Sequence, residues 1–213
     1  DPYHVCMLAL TLIGFTGVLR SGEFTLSKLD PSLEEKKKKA KVSDLKSYSN
    51  GANGLHLPWD KANRWSGRDV AFFEFGLETS AFLRRHLFLS SLDGADILWQ
   101  YHAGQGRKKG SRVFVTKSSW DNWISERLKE LNEPPMKGHS IRIGGATQLL
   151  LNGIDPKIVM KAGGWSSEAS FLAYWRHAIV LIETSKVSSF VEAPTESAFQ
   201  REVVERREFL FEV

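Results

Sequence analysis

The run from Gly138 to His177, GHSIRIGGATQLLLNGIDPKIVMKAGGWSSEASFLAYWRH, decides how this chain is read. Its punctuation divides it into three helices. The first covers about 140–151 and stops at Asn152-Gly153, residues that tolerate the left-handed conformation with which helices often end. Asp155-Pro156 opens the second, with an aspartate to cap the free N–H groups and a proline at the first position, where its missing donor is not needed. Gly163-Gly164 ends it, and the third starts at Ser166 or Ser167 and carries Tyr174. His139 and Arg142, three apart at a helix start, share one face. Free backbone donors there favour an anion, so the pair forms a phosphate clamp. Gly144 and Gly145 each cost about 1 kcal/mol against alanine inside a helix. Close approach of another element, or of a DNA backbone, is expected to offset that.

Working outward, residues 3–16 read as a helix, followed by a turn at Gly17 and a short helix carrying Leu19 to Phe24. Asp30-Pro31-Ser32 breaks it. The run Glu34 to Lys39 reads as a solvated charged loop. Strand-like segments at 42–49, 55–59 and 69–73, the last two joined through the polar stretch Asp60 to Arg68, predict a small antiparallel sheet of three strands. From Thr79 onward the pattern is mainly helical: Thr79–Leu89, then a helix capped by Ser118 or Ser119 and running to Leu131, with a break at Pro134-Pro135. Gly104 to Gly110 is a basic loop. The expected fold class is therefore α+β, mainly helical. Phe199, Val203 and Leu210 recur at near-helical spacing after Pro194, which predicts a separate amphipathic tail helix over 192–213, with residues 1–191 forming the main domain.

The chain has 213 residues, enough for one ordinary domain, with 42% hydrophobic and 25% charged residues. Net charge is +4, but the tail from Glu192 holds six Glu and three Arg, leaving +7 on residues 1–191. A basic body suits a polyanion such as nucleic acid. The single cysteine, Cys6, rules out an internal disulfide and fits an intracellular setting, nuclear in a eukaryote. The apolar run Val5 to Leu19 is shorter than the roughly 20 residues a membrane span needs and reads as a buried helix. No metal-ligand spacing and no glycine-rich phosphate loop is present, so neither a metal nor a cofactor is expected.

Taken singly, His139 with Arg142, Trp165 with Tyr174, and Arg20 with Glu23 are ordinary features of a helical protein. Taken together and in this order, they resemble the catalytic domain of the tyrosine recombinases and integrases. That family's pattern is His-x-x-Arg, a helix, a Gly-His or Gly-Trp turn and a tyrosine about ten residues later. The Ala-Gly-Gly-Trp turn is similar to that of Cre recombinase, Thr16 to Glu23 resembles the first arginine motif, and the string His139 to Thr147 is similar to the recombinases of crypton-type eukaryotic mobile elements. The resemblance covers about residues 5–190.

The resemblance implies a reaction and casts its residues. Tyr174 would attack a DNA phosphodiester and form a 3′-phosphotyrosyl link, which a DNA hydroxyl later displaces. Arg20 and Arg142 would grip the non-bridging oxygens through paired charge-assisted hydrogen bonds. A tyrosine hydroxyl, with a pKa near 10, needs help to ionise, and His139 is placed to assist. Lys61, just past the second strand, takes the family's general-acid position, although Lys-Ala stands where relatives often have Lys-Thr. Lys28, Lys46 and Lys117 are less well placed for it. Glu23 would orient Arg20 or His139, and Trp165 would pack the pocket and donate its indole N–H. Lys28, Arg64, Arg107, Lys108, Lys109 and Lys117 are candidate contacts to DNA phosphates.

The expected partners are double-stranded DNA and further copies of the chain, as a tetramer on paired sites and a monomer or dimer alone, with no membrane. The acidic tail is expected to dock onto a neighbouring subunit. Because the chain begins at Asp1, it reads as a fragment without the N-terminal domain that completes the family's DNA clamp. A catalytically silent DNA-binding descendant and a type IB topoisomerase-like enzyme remain as alternatives.

Overall fold

Apolar residues all round a helix mark it as a central one, and the segment after Asp1 behaves so. In this computed structural model, which describes residues 1–47, 53–60, 66–72, 76–104 and 110–172, that segment is α1 (Pro2–Thr16). The Asp1 side chain caps it and Pro2 occupies its first turn. Cys6, Met7, Ala9, Leu10 and Ile13 are wholly buried. All described residues lie in a unit spanning Asp1–Trp175; the expected tail helix lies outside them. No described helix is long and apolar enough to cross a membrane.

Other elements gather on α1. The helix α4 (Thr79–Leu89) packs along it, with Leu83 and His86 buried. The helix α5 (Lys117–Glu130), capped by Thr116, inserts two tryptophans: Trp120 Nε1 donates to Thr11 Oγ1 and Trp123 Nε1 to His4 Nδ1, each at 2.9 Å. Those bonds satisfy the one polar atom of each indole, so its large apolar surface is buried without a desolvation penalty. The helix α6 (Gly138–Leu151) crosses α1 so closely that a Cβ on Gly145 would lie 2.0 Å from the Phe15 carbonyl oxygen. The crossing requires glycine at 145, and the approaching element is α1. The helix α7 (Pro156–Gly163) follows, capped by Asp155 as the sequence predicts, and residues 168–172 begin a further helix.

The sheet runs in chain order, β1 (Leu45–Ser47), β2 (Asn53–Leu57) and β3 (Arg68–Phe72), all antiparallel. Leu55, Leu57, Val70 and Phe72 point into the core, while Lys46, His56 and Asp69 share the outer face. The second strand ends earlier than 55–59 because Pro58 has no N–H for the ladder.

Three further expectations need correction. The helix α5 is capped by Thr116, and Ser118 and Ser119, expected as the cap, lie inside its first turn, where Ser119 Oγ accepts from the Thr116 N–H. The run Glu34 to Lys39 is not a loop: residues Leu33–Lys37 form a short helix, α3, capped by Ser32, with acidic residues first and basic residues last, the order its dipole favours. Lys39 beyond it is buried. The region after Thr79 also contains a second hairpin, β4 (Gln100–His102) with β5 (Arg112–Phe114). The flanking basic loop interrupts the alternation that would announce it.

A short helix, α2 (Ser21–Phe24), leaves α1 through a tight turn. Leu19 N–H bonds to the Gly14 carbonyl at 2.8 Å and Val18 N–H to the Phe15 carbonyl at 3.1 Å. These are the two bonds of a Schellman helix end, but the left-handed position, at φ 56, holds Val18. A β-branched residue there is strained by roughly 1–3 kcal/mol and persists only where its surroundings hold it. The Val18 carbonyl is held by Arg142.

Candidate active site

Arg142 lies on the buried face of α6 and is only 1% exposed. A buried guanidinium must be hydrogen-bonded and compensated. Its Nη1 donates to the Val18 carbonyl at 2.9 Å, and its guanidinium carbon lies over the Trp165 ring, 3.8 Å from the centroid. Trp165 meets Phe171 edge to face at 5.1 Å. The indole is thus a cation–π floor beneath the arginine. The turn that delivers it needs both glycines. A Cβ on Gly163 would sit 1.9 Å from the Trp165 ring, and Gly164 adopts φ 67.

Arg20 caps α2 from the other side. Glu23 accepts from its backbone N–H at 2.7 Å and from Nη1 at 2.8 Å, and Nη2 donates to the Gly164 carbonyl at 3.2 Å. The two arginines therefore attach to consecutive residues: Arg20 to Gly164 and Arg142 to Trp165. They also bracket one turn, since Arg142 holds Val18, two residues before Arg20. His139 lies in the first turn of α6, exposed, one turn ahead of Arg142.

Two further residues complete the cluster. Asp60, after β2, and Arg68, opening β3, pair at 2.5 Å between Oδ2 and Nε. Arg68 Nη2 reaches Glu23 at 3.1 Å and its Nη1 donates to the Ala162 carbonyl. Asp60 also lies 3.6 Å from Arg20 Nη1. Two cations and two anions form one connected group. Sequence reading places both residues in the polar connection between strands. An oppositely charged pair at the two ends of that connection was the available signal. Nearby, Lys39 Nζ donates to the Gly22 carbonyl; burial holds its ammonium below the usual lysine range, opposed by Glu35 and Glu23.

Of the expected site residues, the structure brings together Arg20, Glu23, Arg142 and Trp165; His139 has its place on α6, one turn before Arg142. Glu23 supports Arg20. Trp165 presents its ring face to Arg142. Lys28 is exposed, and Lys117 pairs with Asp121 at 2.5 Å. Tyr174, Lys61, Arg64, Arg107, Lys108 and Lys109 lie outside the described residues. Lys46 is paired with Asp69 on the sheet's outer face. Among the described residues, no group of three or more His, Cys, Asp or Glu is placed to hold a metal ion.

No protein-family description and no curated protein sequence matches the chain. Solved structures do. The chain is similar to XerA recombinase, with TM-score 0.59 and 21% identity over 85% of this chain and 56% of that one. It is also similar to XerH site-specific recombinase bound to palindromic difH substrate in a post-cleavage complex, with TM-score 0.53 and 20% identity over 87% of this chain and 45% of that one. The chain has the tyrosine recombinase fold. It spans about half the length of the two recombinases. Within that fold, the small sheet, α2, α6 and the turn after α7 converge on the arginine cluster, which is where Arg20, Glu23, Arg142 and Trp165 fall.

Proposed function

We propose that this chain is the catalytic part of a site-specific DNA recombinase or transposase that cleaves and rejoins strands through Tyr174. The observation that carries the reading is the attachment of Arg20 and Arg142 to the consecutive residues Gly164 and Trp165, although Arg20 and Gly164 are 144 positions apart in the sequence. Two guanidiniums held against one turn suit the extra negative charge that develops on a phosphodiester during displacement; Arg20 is open to it, and Arg142, 1% exposed, is reached when the DNA phosphate displaces what covers it. XerH recombinase, which shares the fold, is seen bound to its palindromic difH substrate, and this supports DNA as the partner.

The chemistry follows from the residues. The Tyr174 oxygen attacks phosphorus and the bond to the 5′-oxygen breaks. The phenolic proton leaves toward His139 or solvent, and Lys61 gives a proton to the departing 5′-oxygen. The product is a 3′-phosphotyrosyl link and a free 5′-hydroxyl. Attack by a 5′-hydroxyl reverses each step and frees the tyrosine. One phosphoester bond replaces another throughout, so the exchange requires no ATP. Arg20 and Arg142 stabilise the oxygens that carry the charge, and Glu23 fixes Arg20. Lys28, Arg64, Arg107, Lys108, Lys109 and Lys117 add contacts to the DNA backbone. Assembly of four copies on paired sites, docking of the 192–213 tail on a neighbour, and an intracellular location, nuclear in a eukaryote, belong to the same proposal.

The test uses a pool of nicked duplexes of randomised sequence. A detergent-stable protein–DNA adduct is isolated, its DNA is sequenced and the modified residue is mapped by mass spectrometry. Wild type should form an adduct at Tyr174, and Tyr174→Phe should form none. No adduct with wild type, or an undiminished adduct with Tyr174→Phe, overturns the reading.

A further inference from the structure

Arg20 faces two buried acids. The Glu23 and Asp60 side chains are 3% and 1% exposed, and Arg20 Nη1 lies 2.8 Å and 3.6 Å from their carboxylates. Arg20 and the two carboxylates by themselves carry a charge of −1, which would weaken the pull of Arg20 on a phosphodiester; the buried Lys39 feels Glu23 only at longer range and forms no ion pair with it. Arg68 is the second cation that contacts both of these acids among the described residues. All three of its nitrogens are committed: Nε to Asp60, Nη2 to Glu23 and Nη1 to the Ala162 carbonyl. Its side chain is 13% exposed, against 28% for Arg20. Of the two arginines, Arg20 is the more open to a ligand, and Arg68 is turned inward.

We propose that Arg68, paired with Asp60, is a positioning residue for strand cleavage: it neutralises the second acid so that Arg20 stays fixed by Glu23 yet keeps its charge for the scissile phosphate. This rests on the recombinase reading above. Through the Ala162 carbonyl it also ties β3 to the end of α7, two residues before the Gly164 carbonyl that Arg20 holds. The charge that Arg68 supplies to Arg20, rather than this tie, is what the proposal rests on, and Arg68 supplies it without touching DNA.

The test uses the full chain and the duplex recovered with wild type, made with either an ordinary phosphodiester or an uncharged methylphosphonate at the scissile position. Adduct formation is timed under saturating protein for wild type, Arg68→Gln and the double variant Arg68→Gln/Asp60→Asn. Arg68→Gln should slow cleavage of the phosphodiester about 100-fold, as expected when a preorganised positive contribution to the developing charge is lost. On the methylphosphonate, whose non-bridging oxygen carries no full charge, the loss should shrink to about 5-fold or less. The double variant restores neutrality and should recover at least about 10-fold over Arg68→Gln. A purely structural role predicts the same loss on both substrates and no recovery; either result overturns the proposal. Should Arg68→Gln fail to fold, the double variant decides, and a rate more than about 10-fold below wild type refutes the inference. A wild-type chain that forms no adduct refutes the recombinase reading itself, and the inference with it, whereas a wild-type adduct with unresponsive variants refutes only the inference.

Discussion

Gly145→Ala is the sharpest probe of how α6 is seated. The added methyl carbon would stand 2.0 Å from the Phe15 carbonyl oxygen and 3.0 Å from its carbon. A relaxed carbon–oxygen contact is about 3.3 Å, so α1 and α6 must separate by about 1.3 Å. The obstacle is backbone inside a helix and cannot rotate away. Overpacking of this kind costs about 1–3 kcal/mol, and a backbone obstacle places it at the upper end. Alanine returns about 1 kcal/mol of helix propensity. The net loss is about 2 kcal/mol, or roughly 4–8 °C in melting temperature for a domain of this size. Gly144→Ala is the internal control, because its Cβ would meet only the Phe15 ring edge, at 3.0 Å, which can tilt. Calorimetry of both variants decides. If Gly145→Ala melts no lower than Gly144→Ala, the close crossing of α1 and α6 is wrong, and with it the account of why Val18 and Arg20 stand where they do.

Further outcomes follow from the same contacts. His86 is buried, with Nε2 donating to the Leu98 carbonyl at 2.8 Å and Nδ1 facing Ser90 Oγ at 3.3 Å. Burial lowers its pKa and the carbonyl only partly opposes this. In the window below the ordinary histidine value of about 6.5, the unfolded chain binds the proton that the folded chain refuses, so stability falls as pH falls. Denaturant titrations from about pH 7.5 down to about pH 5.5, which spans the histidine range, should show that slope, and His86→Gln should flatten it; His4, shifted the same way, leaves a smaller remainder. Arg142→Lys keeps a charge but loses the guanidinium over the Trp165 ring, and should reduce adduct formation by about 100-fold or more in single-turnover kinetics; activity near wild type would remove that contact from the mechanism. Gly163→Ala drives a methyl into the Trp165 ring and should change tryptophan fluorescence along with activity; an unchanged spectrum would show that the turn has room.

Much of the architecture was legible from residues because it is encoded locally. The helix Thr79–Leu89 matches its periodic run residue for residue, Asp155-Pro156 marks the start of α7 and Gly164 its end. These signals act within one or two helical turns, where cap, dipole and backbone preference decide. The order of the motifs also fixed which side chains were worth watching: Arg20, Glu23, His139, Arg142 and Trp165.

The sequence alone determined the helix Thr79–Leu89, the two ends of α7 and the presence of three strands, since caps, breakers and side-chain period act over a few positions, and the order of its motifs picked out that set of residues. Only the tertiary structure decided that Glu34 to Lys37 is helical with Lys39 buried behind it, and that a second hairpin forms at Gln100–His102. It alone showed that Arg142 lies over Trp165, that Gly145 yields to α1, and that Asp60 and Arg68 join Glu23 around Arg20. Those contacts join segments far apart in the chain. A buried charge and a surface charge are spelled with the same letter, and only packing tells which carboxylate needs which arginine.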